Sequence, residues 1–241
     1  MNQFLRKCRT DRISLIVSLP ANSPELAIAA IAGGAECLKV HIRVHHDASG
    51  THFGSLEDER GNLESILSVA GTVPVGIVAG AEDAATPEEM SSLAEMGFDF
   101  FDLYDYCMPA WMLNETSMTR VVAIGPEWNP DQLRSLQSMG GADILEAAIV
   151  PHDRYGEPLS VRDITQYRAI SGFADAPVIV PTQKKVRPEE VPVLVDAGIR
   201  ALMIGAIVTG KHPEGIENVT SHFRSQIDEV RSQFSNQEAI R

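Results

Sequence analysis

TPEEMSSLAEMGFDFFDLYDY, residues 86–106, is one full unit of a pattern that the rest of the chain repeats. Thr86 and Glu89 have capping-box spacing, and Pro87 takes the first helical position, where its missing N–H costs no hydrogen bond. Gly97 suits the helix end, because the left-handed conformation needed there clashes with a Cβ. The apolar run Phe98–Tyr106 then reads as a short buried strand.

Working outward, the same helix-ending glycines recur as Gly33 and Gly34, Gly71, Gly140 and Gly141, and Gly198, each just before an apolar run. Further helix starts stand at Ser23-Pro24, Asn129-Pro130-Asp131-Gln132 and Arg187-Pro188-Glu189-Glu190. The strands expected are Ile13–Pro20, Cys37–Val44, Val73–Gly80, Phe98–Tyr106, Thr119–Gly125, Ile144–Pro151, Val178–Thr182 and Ala201–Val208, separated by helix-length segments. Right-handed crossovers leave a closed barrel or a doubly wound sheet. Eight regular units in 241 residues favour the barrel, for which roughly 250 residues is typical. The expectation is an α/β protein, a single (β/α)8 TIM barrel over residues 1–241, with a polar C-terminal tail from about residue 232 that frays. Two connections run long, His45–Gly61 and His152–Ser160. In such barrels the chemistry gathers on the loops at the carboxyl ends of the strands.

Composition narrows the partners. The net charge of −13 argues against nucleic acid and anionic membrane, both of which need clustered Lys and Arg. No 18-residue apolar run and no signal-peptide pattern is visible, so a cytoplasmic protein is expected. Cys8, Cys37 and Cys107 show no CxxC spacing and read as reduced thiols. His41, His45, His46, His52 and His152 crowd the ends of two strands, but His45 and His46 would diverge on extended chain, so neither a metal nor a cofactor is expected.

Strand parity then separates inside from outside. Leu38, Val40, Ile42 and Val44 make one face of the second strand, so Lys39, His41 and Arg43 should point to the barrel axis. The same rule sends Asp102, Tyr104 and Tyr106 inward on the fourth strand, and Glu146 on the sixth. A buried lysine and buried carboxylates are costly unless they meet, so Lys39 should lie beside Glu146, Asp102 or both. That arrangement is either an acid/base or imine-forming site, with His41 as a further proton carrier, or a structural ion pair plugging the barrel. At the exits of the last two strands, Gly205 and Ala206 with Lys184 or Lys211 suggest an anion site, since loops there supply backbone N–H groups to phosphates in barrels. His52 is expected on a lid formed by His45–Gly61.

Leu15-Ile16-Val17-Ser18 with Ala27–Gly34, and later Val178–Val180, Pro188-Glu189-Glu190, Gly198–Ala206 and Gly215-Ile216 ahead of Phe223, resemble the ribulose-phosphate-binding barrels. Among these the likeness is to the N-acetylmannosamine-6-phosphate 2-epimerases. The resemblance implies a phosphorylated ligand and places Lys39 where that family has a phosphate-contacting arginine. It also puts Ala79 and Pro181 or Thr182 where the family's catalytic Lys and Glu would stand, so those two groups are missing. His41-Ile42 and His52-Phe53 resemble ribulose-phosphate 3-epimerase, although Arg43 replaces its metal-binding Asp.

The expected function is proton transfer next to a carbonyl of a small phosphorylated sugar or keto acid, as epimerase, isomerase or aldolase. Lys39 would polarise the carbonyl or form an imine, Glu146, Asp102 or His41 would move protons, and Arg43 would join Gly205, Ala206, Lys184 and Lys211 in holding the substrate. The alternative is a non-catalytic metabolite-binding barrel acting through a protein partner. Self-association is open on either reading.

Overall fold

The computed structural model describes residues 3–11 and 13–239, with side chains through residue 233. Eight parallel strands close into a barrel: β1 (Ser14–Ser18), β2 (Cys37–Ile42), β3 (Val75–Ala79), β4 (Phe100–Tyr104), β5 (Thr119–Ile124), β6 (Ile144–Ala147), β7 (Val178–Pro181) and β8 (Ala201–Ile204), with β1 pairing both β2 and β8. The single barrel expected from the repeats is therefore the fold.

The helix starts follow their local chemistry. Thr86 accepts from the Glu89 N–H while the Glu89 side chain bonds the Thr86 N–H, and Gly97 closes α4 (Pro87–Met96) in the left-handed region at φ 100°. Ser23 caps α2 (Pro24–Ala32), Asn129 caps α5 (Pro130–Ser138), Ser160 with Asp163 boxes the start of α6 (Val161–Phe173), and α7 (Val191–Asp196) follows β7.

Parity holds through the sheet. Leu38, Val40, Ile42, Phe101, Leu103, Leu145 and Ala147 join the core between strands and helices. The opposite faces form a second, inner cluster of Ile16, Cys37, Phe100, Val121, Ile144, Ile179, Ala201 and Met203. This cluster is sealed from below by α1 (Gln3–Thr10), an element absent from the sequence expectations, which inserts Phe4, Leu5 and Cys8. Phe4 stacks on Phe100 with ring centroids 4.3 Å apart. Room for that ring comes from Gly76 on the neighbouring strand, where an added Cβ would fall 2.0 Å from Phe100. Cys8, Cys37 and Cys107 are free thiols.

Four expectations need correction. The crossover from β4 to β5 holds no α-helix, only a 3₁₀ turn at Ala110–Asn114. Arg120, on the helix-facing side of β5, fills that gap, donating to the carbonyls of Gly141, Leu113, Gly140 and Met112. His45–Gly61 is no irregular loop: Val44–His46 pairs antiparallel with Thr51–Phe53, and α3 (Leu56–Ala70) begins before Gly61. The eighth strand stops at Ile204, because residues 206–209 form the short helix α8 (Ala206–Thr209). Finally, α9 (Pro213–Ala239) stays helical past residue 232, packing Ile216, Phe223, Ile227 and Val230 into the core. No helix among the described residues is long and apolar enough to cross a membrane.

Candidate active site

A cavity of about 540 Å³ opens at the carboxyl end of the barrel. Its floor is a buried charge cluster. Lys39 Nζ donates to Asp102 Oδ2 at 2.8 Å and to Glu146 Oε2 at 3.0 Å, and all three side chains are nearly inaccessible to solvent. Parity puts the side chains of these residues, from the alternate strands β2, β4 and β6, on the axis, where both carboxyl groups reach one ammonium.

The cluster sets two carboxyl groups against one ammonium, and Glu146 responds by keeping its proton. Burial first, and then the charge of Asp102, hold its pKa well above the carboxylate range despite the opposing pull of Lys39. Burial works against the charge on Lys39, but Asp102 and Glu146 more than offset it, so Lys39 remains an ammonium. The site thus carries a protonated carboxyl, a second carboxyl and an ammonium within hydrogen-bond reach of one another. Asp102 Oδ1 has no protein partner although it is buried.

Above the floor, His41 stands between the barrel and the hairpin. Its ring stacks on Phe53 at 4.7 Å and tilts against His46 at 4.5 Å, while Nε2 lies 3.4 Å from Ser18 Oγ. Burial drives the His41 pKa well below the usual value, with His46 and Lys39 adding to the effect, so the ring is neutral; its Nδ1 has no protein partner. His46 is pushed down to about 4, by burial first and by Lys39 second.

The hairpin reaches over the cavity because Arg43 turns the chain out of β2. Arg43 adopts φ 52°, a left-handed conformation rare for a side-chain-bearing residue, and its N–H donates to Gly54 at 2.7 Å. Thr51 Oγ1 donates to the Pro20 carbonyl at 2.7 Å, and Asp47 at the hairpin turn meets His152 Nδ1 at 3.1 Å across the cavity mouth. On the far wall Gln183 Nε2 donates to Tyr155 Oη at 2.7 Å and to the Ala148 carbonyl at 3.3 Å, and its Oε1 accepts from Val150 N–H. Tyr104 joins this group and stacks on Tyr106 at 5.0 Å. Burial raises the pKa values of Tyr104 and Tyr155, which keep their protons and can donate.

Lys39, His41, Asp102, Glu146 and Gly205 all line this one cavity. Other expected residues do not serve it as anticipated. Arg43 reaches the cavity rim, but its guanidinium is engaged by Glu89 at 2.9 Å and by Asp83, because the left-handed turn aims it at the start of α4. Lys184 is buried outside the lining with its ammonium 2.6 Å from Glu157, since the β7 exit alternates it away from the axis. Ala206 begins α8 and Lys211 lies exposed beyond it, and neither lines the cavity. The Gly205 N–H is donated to Thr182 Oγ1 at 3.0 Å. His52 is exposed opposite His45 on the hairpin and is not part of the lining. Gln183 and Tyr155 carry no motif; the length of the His152–Ser160 connection was the one sequence signal near Tyr155. Among the described residues no three His, Cys, Asp or Glu side chains gather as a metal site.

No family model and no curated protein sequence matches the chain. Its fold is similar to several solved structures. Thiamine phosphate pyrophosphorylase from Pyrococcus furiosus superposes with a TM-score of 0.65 at 12% identity, covering 91% of this chain and 98% of the other. A structure described as native KDPGal gives 0.63 at 17% identity, covering 90% and 95%. 3-Hexulose-6-phosphate synthase gives 0.63 at 14% identity, covering 89% and 99%. At these identities the likeness is one of fold, the (β/α)8 barrel.

Proposed function

We propose that the chain is an enzyme that moves a proton at the carbon next to a carbonyl group of a small sugar or keto acid, as an isomerase or epimerase. The observation that carries this reading is the Lys39–Asp102–Glu146 cluster beneath the cavity, in which one carboxyl keeps its proton beside a fixed ammonium. Catalysis next to a carbonyl needs a base for the carbon-bound proton, an acid for its return, and positive charge where the enolate oxygen develops. The ionised member of the carboxyl pair would take the proton, the protonated member would give one back, and Lys39 would face the oxygen. Water exclusion by the hairpin would strengthen each of these interactions. The proteins of similar fold include a synthase named for a hexulose phosphate, which supports an enzyme of small-molecule carbon chemistry.

The same geometry weighs against the imine branch of the expectation. An amine must lose its proton to attack a carbonyl, and Lys39 is held protonated by two carboxyl groups. Borohydride should therefore trap no adduct at Lys39, whereas a trapped adduct would move the assignment to an aldolase.

The test is deuterium incorporation from D2O into a panel of hydroxyketones and keto acids, followed by NMR. Exchange next to the carbonyl is expected, and Glu146→Gln should slow it by about 10²–10⁴-fold, the usual contribution of a positioned acid or base. A second reading, a non-catalytic barrel acting through a protein partner, draws on Ala79 and Pro181 standing where the resembling epimerases have their catalytic pair. It requires ligand binding without exchange at any carbon.

A further inference from the structure

The charges around the cavity bear on what can enter it. Lys39 and Arg43 are the cationic Lys and Arg side chains among the lining residues, and each already has two acidic partners: Asp102 and the protonated Glu146 for Lys39, Asp83 and Glu89 for Arg43. Against these two cations the lining sets five acidic residues, Asp47, Glu82, Asp83, Asp102 and Glu146. Of the groups expected to cradle an anion, Lys184 is engaged by Glu157 and the Gly205 N–H by Thr182, while Ala206 and Lys211 lie outside the lining. What remains for a ligand is neutral hydrogen-bonding capacity, from Ser18, His41, Tyr104 and Tyr155, and the unpartnered oxygen of Asp102.

A phosphate or carboxylate entering this cavity would meet like charges with no unpaired cation to offset them. Two unit charges a few ångströms apart repel by a few kcal/mol at the effective dielectric of a partly buried site. Hydroxyl groups, in contrast, can both donate to a carboxylate oxygen and accept from tyrosine donors.

We propose that the cavity takes an uncharged hydroxy-carbonyl compound, an unphosphorylated sugar, in preference to a sugar phosphate or a keto acid. The proposal rests on the proton-transfer reading of the same site, which it narrows to one class of substrate.

The test uses matched pairs of ketoses and their phosphate esters, D-ribulose with its 5-phosphate and D-fructose with its 6-phosphate, and pyruvate as the carboxylate probe. Affinities are read by calorimetry on the whole chain, with deuterium exchange in D2O measured on the same compounds. A free ketose should bind about 10–100-fold more tightly than its ester, the ratio expected for charge repulsion of this size. Glu82→Lys, a change at the exposed rim, should narrow that ratio by raising affinity for the ester. An ester or pyruvate that binds as tightly as the free ketoses would overturn the proposal, as would failure of both members of both pairs to bind. An unchanged ratio in Glu82→Lys would count against its electrostatic basis. The proton-transfer reading fails separately: a ketose that binds preferentially yet exchanges no carbon-bound proton would refute it and leave the uncharged-ligand preference standing.

Discussion

Lys39 and Glu146 are 107 positions apart in the chain, and their charged ends meet 3.0 Å apart on the barrel axis, with Asp102 completing the cluster from a third strand. Removing the ammonium while leaving both carboxyls is therefore the sharpest perturbation available. Lys39→Met should cost about 3–5 kcal/mol, because a buried charge loses its partner. Urea unfolding at about pH 5 and pH 8 should show a smaller loss at the lower pH, where protonation relieves the stranded carboxyls. A loss below about 1 kcal/mol at both pH values would mean that the cluster is solvated.

Glu146 makes its own pH prediction. Its pKa is raised on folding, so the folded state holds the proton more tightly than the unfolded chain does. The stabilising contribution is complete below the unfolded carboxyl value of about 4.3 and is lost as pH rises through the folded value. Glu146→Gln, which cannot ionise, should flatten this decline. Parallel stability curves for the two proteins across that range would refute the assignment.

The hairpin should loosen in acid. His46 has its pKa lowered to about 4 in the folded protein, so its contribution is complete above the unfolded histidine value of about 6.5 and is lost as pH falls toward 4. His41, stacked between His46 and Phe53 and also held neutral, acts in the same direction. Hydrogen-exchange protection factors for residues 44–53 should fall between about pH 6.5 and pH 4, and less so in His46→Gln. Bound ketose should raise protection in the same segment if it acts as a lid; unchanged protection on saturation would reduce it to a static cover.

Arg120 substitutes for a helix. Its guanidinium satisfies carbonyls of the 3₁₀ turn and of residues 140 and 141, so Arg120→Met should strand several buried acceptors and cost on the order of 3 kcal/mol. Denaturant unfolding gives the magnitude, and exchange should rise first in residues 107–118. Rapid exchange spread evenly over the barrel would contradict a local role.

Gly76 and Phe100 should behave as a coupled pair. Gly76→Ala places a Cβ inside the Phe100 ring position and should cost about 1–3 kcal/mol, while Phe100→Leu in the same chain should recover part of that loss. Additive losses in the double variant would show that the two side chains are independent.

Several of these features are readable in the chain alone. Glycines, prolines and caps act within a few residues of themselves, so the repeat around residues 86–106 carries the barrel, and period-two alternation places Lys39, Asp102 and Glu146 on the axis and requires them to meet. What tertiary structure alone decided was which cations a ligand can use. Lys184, Lys211 and Arg43 are as basic in the sequence as any phosphate ligand, yet Glu157, Glu89 and Asp83 claim two of them and the third lies outside the cavity. The closing helix α1, the hairpin and Arg120's place in a helix-free crossover were likewise hidden. Local rules state what a residue prefers, but the partner of a charge is set by which distant segment the closed sheet brings within about 3 Å of it, and that depends on every strand register at once.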